Sequence, residues 1–247
     1  MDPLTATAAS GMLSRSQTLD ILANNIANSE TAGYKADLES YNLYFGEEAW
    51  QGYHEGRAAG AEMPVIEKNW TDFSQGSLTL TGNPTDVALS SNGLFVVKGP
   101  NGPLYTRNGQ FQISKSGILE TREGYPVLGQ TGKPITLEAT QPFEITAAGD
   151  VRQRGTTIDR LSIVDGNSAT CEKAGGGFFK LTTGNTPRPP AAYVVEQGKL
   201  EASNVSPASA AVKLVGVMRS FEMLNKAVSM SSEMSRHAIE EVARVNS

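Results

Sequence analysis

The residue types that most often carry chemistry are sparse in this chain and stand apart. Its two histidines, His54 and His237, are far from each other in sequence, so zinc chemistry is not expected and no metal ligand is assigned. The single cysteine, Cys171, has no partner for an internal disulfide. Lys173 nearby could activate its thiol, but an ordinary strand or loop cysteine is the preferred reading. His237 lies off the main helical stripe beside Arg236, and His54 lies beside Glu55; both read as solvated. There is no Gly-x-Ser-x-Gly elbow. Gly132-Lys133 is followed by Pro134 and lacks the upstream glycine of a phosphate loop. Gly175-Gly176-Gly177 precedes Phe178-Phe179 rather than a helix start, which argues against a phosphate turn. The neighbours Glu47 and Glu48, or Glu240 and Glu241, point in different directions, whereas acid–base work needs carboxylates converging from separate elements. Arg152, Arg154 and Arg160 read as a solvated strand face, or as a contact for an acidic neighbouring copy. No catalytic residue, cofactor site or metal site is expected.

Composition agrees. The 247 residues carry a net charge of −5, with a pI near 5.2, which argues against a protein that coats nucleic acid. Hydrophobic residues make up 39% and charged residues 19%, while glycine alone contributes 25 positions. Such a chain favours many turns and short strands. No run of 18 apolar residues exists, so membrane insertion is not expected. Met1-Asp2-Pro3-Leu4 lacks the basic start and apolar block of a secretory signal, which predicts a cytoplasmic protein or one exported by another route.

The elements that must position these residues fall into helix, strand and helix. Asp2 and Pro3 suit a helix start, and the pattern predicts a helix over residues 4–28. Its apolar residues include Leu4, Ala8, Met12, Leu19, Leu22 and Ile26, the last four in coiled-coil spacing. Residues 34–70 crowd aromatic and acidic side chains, including Tyr34, Trp50 and Trp70, and read as an irregular connecting segment with a mobile loop at Gly52 to Gly60. Over 71–200 the period becomes two, with turn signals such as Asn92-Gly93, Asn101-Gly102, Asn108-Gly109 and Ser116-Gly117, which predicts an antiparallel sandwich or barrel. From Pro207 to Val245 the pattern is helical, with a long stripe through Leu214, Val217, Phe221, Leu224, Val228, Ala238, Val242 and Val245. A helix of that length reaches on the order of 55 Å.

The expected fold is therefore α+β. Terminal α-helices form a coiled-coil-like stalk, and a central antiparallel all-β domain projects from it. The expected domains are 1–33, an N-terminal helix; 34–70, the connecting segment; 71–200, the β domain; and 201–247, the C-terminal helix. Val215, Met218, Met230, Met234 and Ile239 flank the long stripe and find no cover in a two-helix pairing. Either the helices satisfy each other as a hairpin, or neighbouring copies cover the surplus apolar surface.

Ala8-Ala9-Ser10-Gly11-Met12, then Leu22-Ala23-Asn24-Asn25-Ile26-Ala27-Asn28 and Thr31-Ala32-Gly33-Tyr34-Lys35, resemble the N-terminal signature of bacterial flagellar rod and hook proteins. Gly198-Lys199-Leu200-Glu201-Ala202-Ser203-Asn204-Val205, leading into Arg219-Ser220-Phe221-Glu222-Met223, is similar to the C-terminal motif of that family. Thr81-Gly82-Asn83-Pro84-Thr85-Asp86, Gly93-Leu94-Phe95, Tyr105-Thr106-Arg107-Asn108-Gly109 and Gly124-Tyr125-Pro126 follow the family in order. Length and the modest β domain are most similar to the proximal-rod (F-type) subunits; the distal-rod (G-type) is the alternative.

The resemblance implies a non-enzymatic structural subunit of the basal-body rod, exported by the flagellar type III apparatus without a cleaved signal. It implies polymerisation into the hollow axial shaft that crosses the periplasm and transmits torque. The partners implied are further copies of itself, other rod and hook axial proteins and the export apparatus, with no nucleic acid. The subunit interface would then use Leu4, Met12, Leu19, Leu22 and Ile26 with the C-terminal stripe named above. Asn24, Asn25 and Asn28 would be helix-end polar groups that bond to each other or to nearby backbone. Outside this family, a carbohydrate-binding β module with Trp50 and Trp70 as stacking platforms is the competing reading, and a hydrolase using loop carboxylates is a third.

Overall fold

The structure is a computed structural model that describes residues 3–45, 62–138, 140–182 and 184–245. The chain opens with helix α1 (Pro3–Ala27) and closes with helix α2 (Pro207–Val245). Each begins on a proline, where the missing N–H breaks no helical bond. Between them lie β1 (Asp37–Phe45), β2 (Glu62–Thr71), β3 (Leu78–Leu80), β4 (Val87–Leu89), β5 (Leu94–Gly99), β6 (Gly102–Thr106), β7 (Phe111–Ile113) and β8 (Leu119–Thr121). There follow β9 (Phe143–Ile145), β10 (Asp150–Gln153), β11 (Thr156–Arg160), β12 (Ile163–Val164), β13 (Cys171–Gly175), β14 (Phe178–Leu181), β15 (Val195–Gln197) and β16 (Lys199–Glu201). The α+β class and the helix–sheet–helix order are those expected from sequence.

The chain divides into two compact units. One comprises residues 1–26, 37–70 and 207–247, and the other residues 27–36 and 71–206. Segment 34–70 is not irregular as expected: β1 and β2 pair as a two-stranded sheet. β-branched and aromatic residues such as Tyr41, Val65, Ile66 and Trp70 suit a pleated surface, and their acidic neighbours masked that signal. The loop expected at Gly52 to Gly60 lies outside the described residues, as does Trp50.

The second unit is the β core. Its largest sheet runs β12-β5-β6-β14-β13, antiparallel throughout. β5 reads Leu94-Phe95-Val96-Val97, an unbroken apolar run, and all four side chains are buried. Such a run marks a strand covered on both faces. Phe95 and Val97 face the larger core cluster with Phe111, Leu119, Val127, Leu161 and Phe178. Leu94 and Val96 face a smaller cluster with Tyr105, Cys171 and Phe179. Phe95 meets Phe111 edge-on, with ring centroids 5.3 Å apart. Each such side chain contributes roughly 1.5–3 kcal/mol by leaving water.

Turn chemistry sets the order of the hairpins. Gly99-Pro100-Asn101-Gly102 joins β5 to β6, with Gly99 opposite Gly102. Asn108-Gly109 has a different role from the hairpin turn expected. A Cβ on Gly109 would stand 1.6 Å from the Val87 carbonyl oxygen, so glycine there permits two backbones to touch. The Gly175-Gly176-Gly177 run forms the turn between β13 and β14. The arginines sit on an exposed strand face and pair within the chain: Arg160 Nε lies 2.5 Å from Asp150, and Arg154 lies 2.8 Å from Glu138.

Candidate functional site

Three charged residues close the β unit around the two points where the chain enters and leaves it. Asn28 ends the first helical stretch, its carbonyl accepting the Thr31 N–H (3.1 Å). Gly33 then turns the chain with φ of +67°, and a Cβ there would meet the backbone of Arg107 and Asn108 at 2.4 Å. The turn delivers Tyr34 and Lys35 into the interior. From the far end of the chain, β16 brings in Glu201 as it pairs with β3 (Glu201 opposite Leu78). From the middle, the end of β6 brings in Arg107.

Lys35, Arg107 and Glu201 are 2%, 4% and 2% exposed. Lys35 Nζ donates to Glu201 Oε1 at 2.6 Å, and Arg107 Nε donates to Glu201 Oε2 at 2.5 Å. Further donors of both cations are used. Arg107 Nη1 donates to the Gly93 carbonyl, and Nη2 to the carbonyls of Leu89 and Ser91. Lys35 Nζ reaches the Ser74 carbonyl (2.6 Å), and the Gly76 N–H donates to Glu201 Oε1 (2.9 Å). Burial pushes the Lys35 ammonium below the usual lysine range, and its bond to Glu201 pulls it back up. A buried carboxylate held by two cations and an N–H is well paired, which offsets the cost of removing those charges from water.

Backbone and amide bonds extend the closure. The Gly33 N–H donates to the Glu201 carbonyl (2.7 Å), and the Asn204 N–H to the Tyr34 carbonyl (3.3 Å). Asn204 Oδ1 accepts the Ala36 N–H while its Nδ2 donates to the Asp72 carbonyl, both at 2.8 Å. Lys173 Nζ sits 4.3 Å from the Tyr34 ring centroid and donates to the Lys35 carbonyl. The segment that follows α1 is thus sewn to the segment that precedes α2.

In the other unit, α1 buries Gly11, Ser14, Thr18, Leu22 and Asn25 on one face. Of the residues expected on its seam, Leu22 is on that face, Met12, Leu19 and Ile26 are half-buried, and the side chain of Leu4 lies outside the described residues. The buried stripe is therefore smaller and more polar than the apolar pattern suggested. Small residues permit close approach, and polar ones bond locally: Thr18 Oγ1 donates to the Ser14 carbonyl. Asn25 is buried and grips both polar groups of the Asp37 backbone, accepting its N–H (3.0 Å) and donating to its carbonyl (2.8 Å). Asn28 accepts from the Thr31 hydroxyl, whereas Asn24 is exposed. Along α2, Leu214, Val217, Phe221, Leu224 and Val228 are all half-buried; the side chains of Ala238, Val242 and Val245 lie outside the described residues.

No sequence pattern singles out the ion cluster, although Lys35, Arg107 and Glu201 each lie within a stretch that carries the family resemblance. The available signal is two basic residues and one acidic residue, each one or two residues from a glycine or a strand end. Cys171 is buried at the start of β13, and burial pushes its thiol up, which is the ordinary strand cysteine expected. His237 is exposed on α2 near Glu240. Trp70 is half-buried, and it does not line the open cleft of about 720 Å³ beside Leu104, Tyr125 and Phe178. Among the described residues no acidic, histidine and cysteine cluster is arranged to hold a metal, and no helix is long and apolar enough to cross a membrane.

The interior charges fasten distant chain segments together, and long helices stand at either end of the sequence. Comparison with known proteins supplies the class. Residues 6–35 match the family described as flagella basal body rod protein, residues 88–153 the flagellar hook protein FlgE/F/G D1 domain, and residues 196–241 the flagellar basal body rod FlgEFG protein C-terminal family. The chain is 33% identical to flagellar basal-body rod protein FlgF of Caulobacter vibrioides, over 95% of this chain and 97% of that protein. It is 31% identical to flagellar basal-body rod protein FlgG of Agrobacterium fabrum (93% and 95% covered) and 28% identical to FlgF of Mesorhizobium japonicum (94% of each). The chain belongs to the flagellar basal-body rod protein family and is a structural component of the flagellar rod.

Proposed function

We propose that this chain is a non-enzymatic rod subunit of the proximal, F type, which polymerises through its terminal helices into the hollow axial shaft that carries torque across the periplasm. It reaches that place through the flagellar export apparatus, without a cleaved signal, and its neighbours are further copies and other axial proteins. The observation that supports this reading most is the Lys35–Glu201–Arg107 cluster. It joins the three stretches that carry the resemblance, so residues that mark the family hold the segment after α1 to the segment before α2. A subunit that presents two helices to a lattice needs such a fixed origin, and many modest contacts along a lattice then act together. The distal, G type is the second reading, favoured by the 31% identity to FlgG of Agrobacterium fabrum.

The test is replacement of the chain, in the cells that make it, by a form lacking residues 3–26. The full chain is expected in isolated basal bodies and to restore swimming, and the truncated form is expected in neither assay. Truncated protein that still enters basal bodies would sink the role given to the helices. An F-type assignment further requires the chain to lie at the inner end of the rod, which labelling with a small tag reads directly.

A further inference from the structure

The sequence carries three Asn-Gly pairs, Asn92-Gly93, Asn101-Gly102 and Asn108-Gly109. This dipeptide has a chemistry of its own. The asparagine side-chain carbonyl carbon and the next backbone nitrogen can close a five-membered ring, and glycine puts no Cβ in the way. Closure needs the backbone around the pair to rotate, so each restraint on it raises the barrier and divides the rate. The three pairs differ in that restraint.

Asn108-Gly109 is held throughout. Asn108 Oδ1 accepts the Gln110 N–H (2.9 Å), and the Asn108 N–H donates to Thr106 Oγ1 (3.0 Å). Gly109 is buried against the Val87 carbonyl, and its own carbonyl accepts the Val87 N–H (3.0 Å). Asn92 is exposed, but Gly93 is buried. A Cβ on Gly93 would meet Ile163 at 2.9 Å, and the Gly93 carbonyl accepts from the buried Arg107. Asn101-Gly102 is different. Both residues are exposed at the tip of the β5–β6 hairpin. Among the described residues no hydrogen bond holds the Asn101 side chain. A Cβ on Gly102 would meet nothing within 4 Å. An exposed tip with so few contacts opens locally at little cost.

We propose that Asn101 is a site of spontaneous deamidation and isomerisation, with water as the only co-reactant. The Gly102 amide nitrogen gives up its proton to solvent and attacks Asn101 Cγ. The new C–N bond closes a succinimide, and the Cγ–Nδ2 bond breaks to release ammonia, which takes up a proton. Water then adds to one of the two ring carbonyl carbons. Opening at one leaves aspartate; opening at the other leaves isoaspartate, whose main chain runs through the side-chain carbon. Either product turns a neutral amide into a carboxylate, so the net charge of −5 gains one more negative unit. The new charge stands in the open cleft that Glu123 and Lys180 also line. Isoaspartate also lengthens the main chain of a hairpin loop whose register sets Gly99 opposite Gly102.

The experiment incubates the purified full chain, folded, at mildly alkaline pH and samples it over time. Peptide mapping by mass spectrometry reads amide loss at each pair, and isoaspartyl methyltransferase with a labelled methyl donor reads isoaspartate. Asn101 is expected to convert at least about tenfold faster than Asn92 or Asn108, and faster as pH rises. In denaturant the restraints vanish, and the three rates are expected to converge. Asn101→Gln is expected to remove the early acidic form and the methyl label while leaving the melting curve unchanged. An Asn101 that stays intact in the folded chain after the denatured chain has converted overturns the proposal. So do equal rates at all three pairs in the folded chain, or an early acidic form that persists in Asn101→Gln.

Discussion

At Glu201 the chain places a carboxylate where only 2% of the residue meets solvent, and every partner it has is inside the β unit. Removing that charge while Lys35 and Arg107 stay leaves two buried cations without their counterion. Glu201→Gln is therefore expected to cost about 3–5 kcal/mol, the range for breaking a buried pair from one side. Adding Lys35→Met to it removes one of the stranded cations, so the double variant should lose less than the sum of the single losses. Denaturant melts of the three proteins read this, and simple additivity would count against a coupled cluster. Gly33→Ala tests the turn that brings Lys35 in. Its φ of +67° disfavours any side chain by roughly 1–2 kcal/mol, and the 2.4 Å approach to the Arg107 carbonyl carbon adds to that. A thermal melt unchanged by this substitution would contradict the close approach. These residues were visible in the sequence only as parts of a resemblance. A lysine in Gly33-Tyr34-Lys35 looks like any solvated lysine until chain segments 166 positions apart are known to meet.

Elements show where local pattern sufficed and where it did not. Asp150 pairs with Arg160 across β10 and β11, and the hydrogen bond from Arg160, followed by its charge, holds the Asp150 carboxyl below the usual value of 3.8. The unfolded chain then takes up the proton first as pH falls. The pair's stabilisation is present above about pH 4 and declines as pH drops through the folded value. Asp150→Asn is expected to flatten that part of the acid limb of stability against pH and leave the neutral region nearly level, because the partner side chain is 42% exposed and screened by water. Melting temperatures between pH 2 and pH 6, on the order of a few points per unit, check this; parallel curves for the two proteins would refute it. Both helices were legible from capping prolines and apolar spacing, since those signals are local. So was β5, from its unbroken apolar run. The β1–β2 pair was not, because acidic residues interrupt its strand pattern. The burying face of α1 was not legible either: Gly11, Ser14 and Thr18 carry no hydrophobic signal, and only packing reveals that they are inside. Asn108-Gly109 has the sequence of a hairpin turn, and the contact with Val87 that gives it another role comes from a distant strand.

Across the whole molecule the two units differ in what holds them. The β unit contains a continuous buried cluster that includes Phe95, Leu119, Val151 and Leu161, all fully enclosed. In α1 and α2, the described side chains that are fully buried are Gly11, Ser14, Thr18, Leu22, Asn25 and Ala210, and among these only Leu22 is a large apolar residue. Local opening free energy follows buried apolar contact and backbone protection, so the helices should open far below the global limit while the β unit opens only by unfolding. Hydrogen exchange on the isolated full chain is expected to label α2 amides rapidly and to leave those of β5 and β6 protected. Glu201→Gln is expected to lower the main calorimetric transition by roughly 6–20 °C, since about 1 kcal/mol shifts a domain of this size by roughly 2–4 °C, without changing α2 exchange. In basal bodies the same α2 amides should become slow, because neighbouring subunits then cover exposed apolar residues of α2 such as Met223 and Met234. An α2 that is already as protected as β5 in the isolated chain would mean that the chain alone supplies its cover. The need for a partner along α2 would then disappear, and with it the physical reason for the helices to assemble.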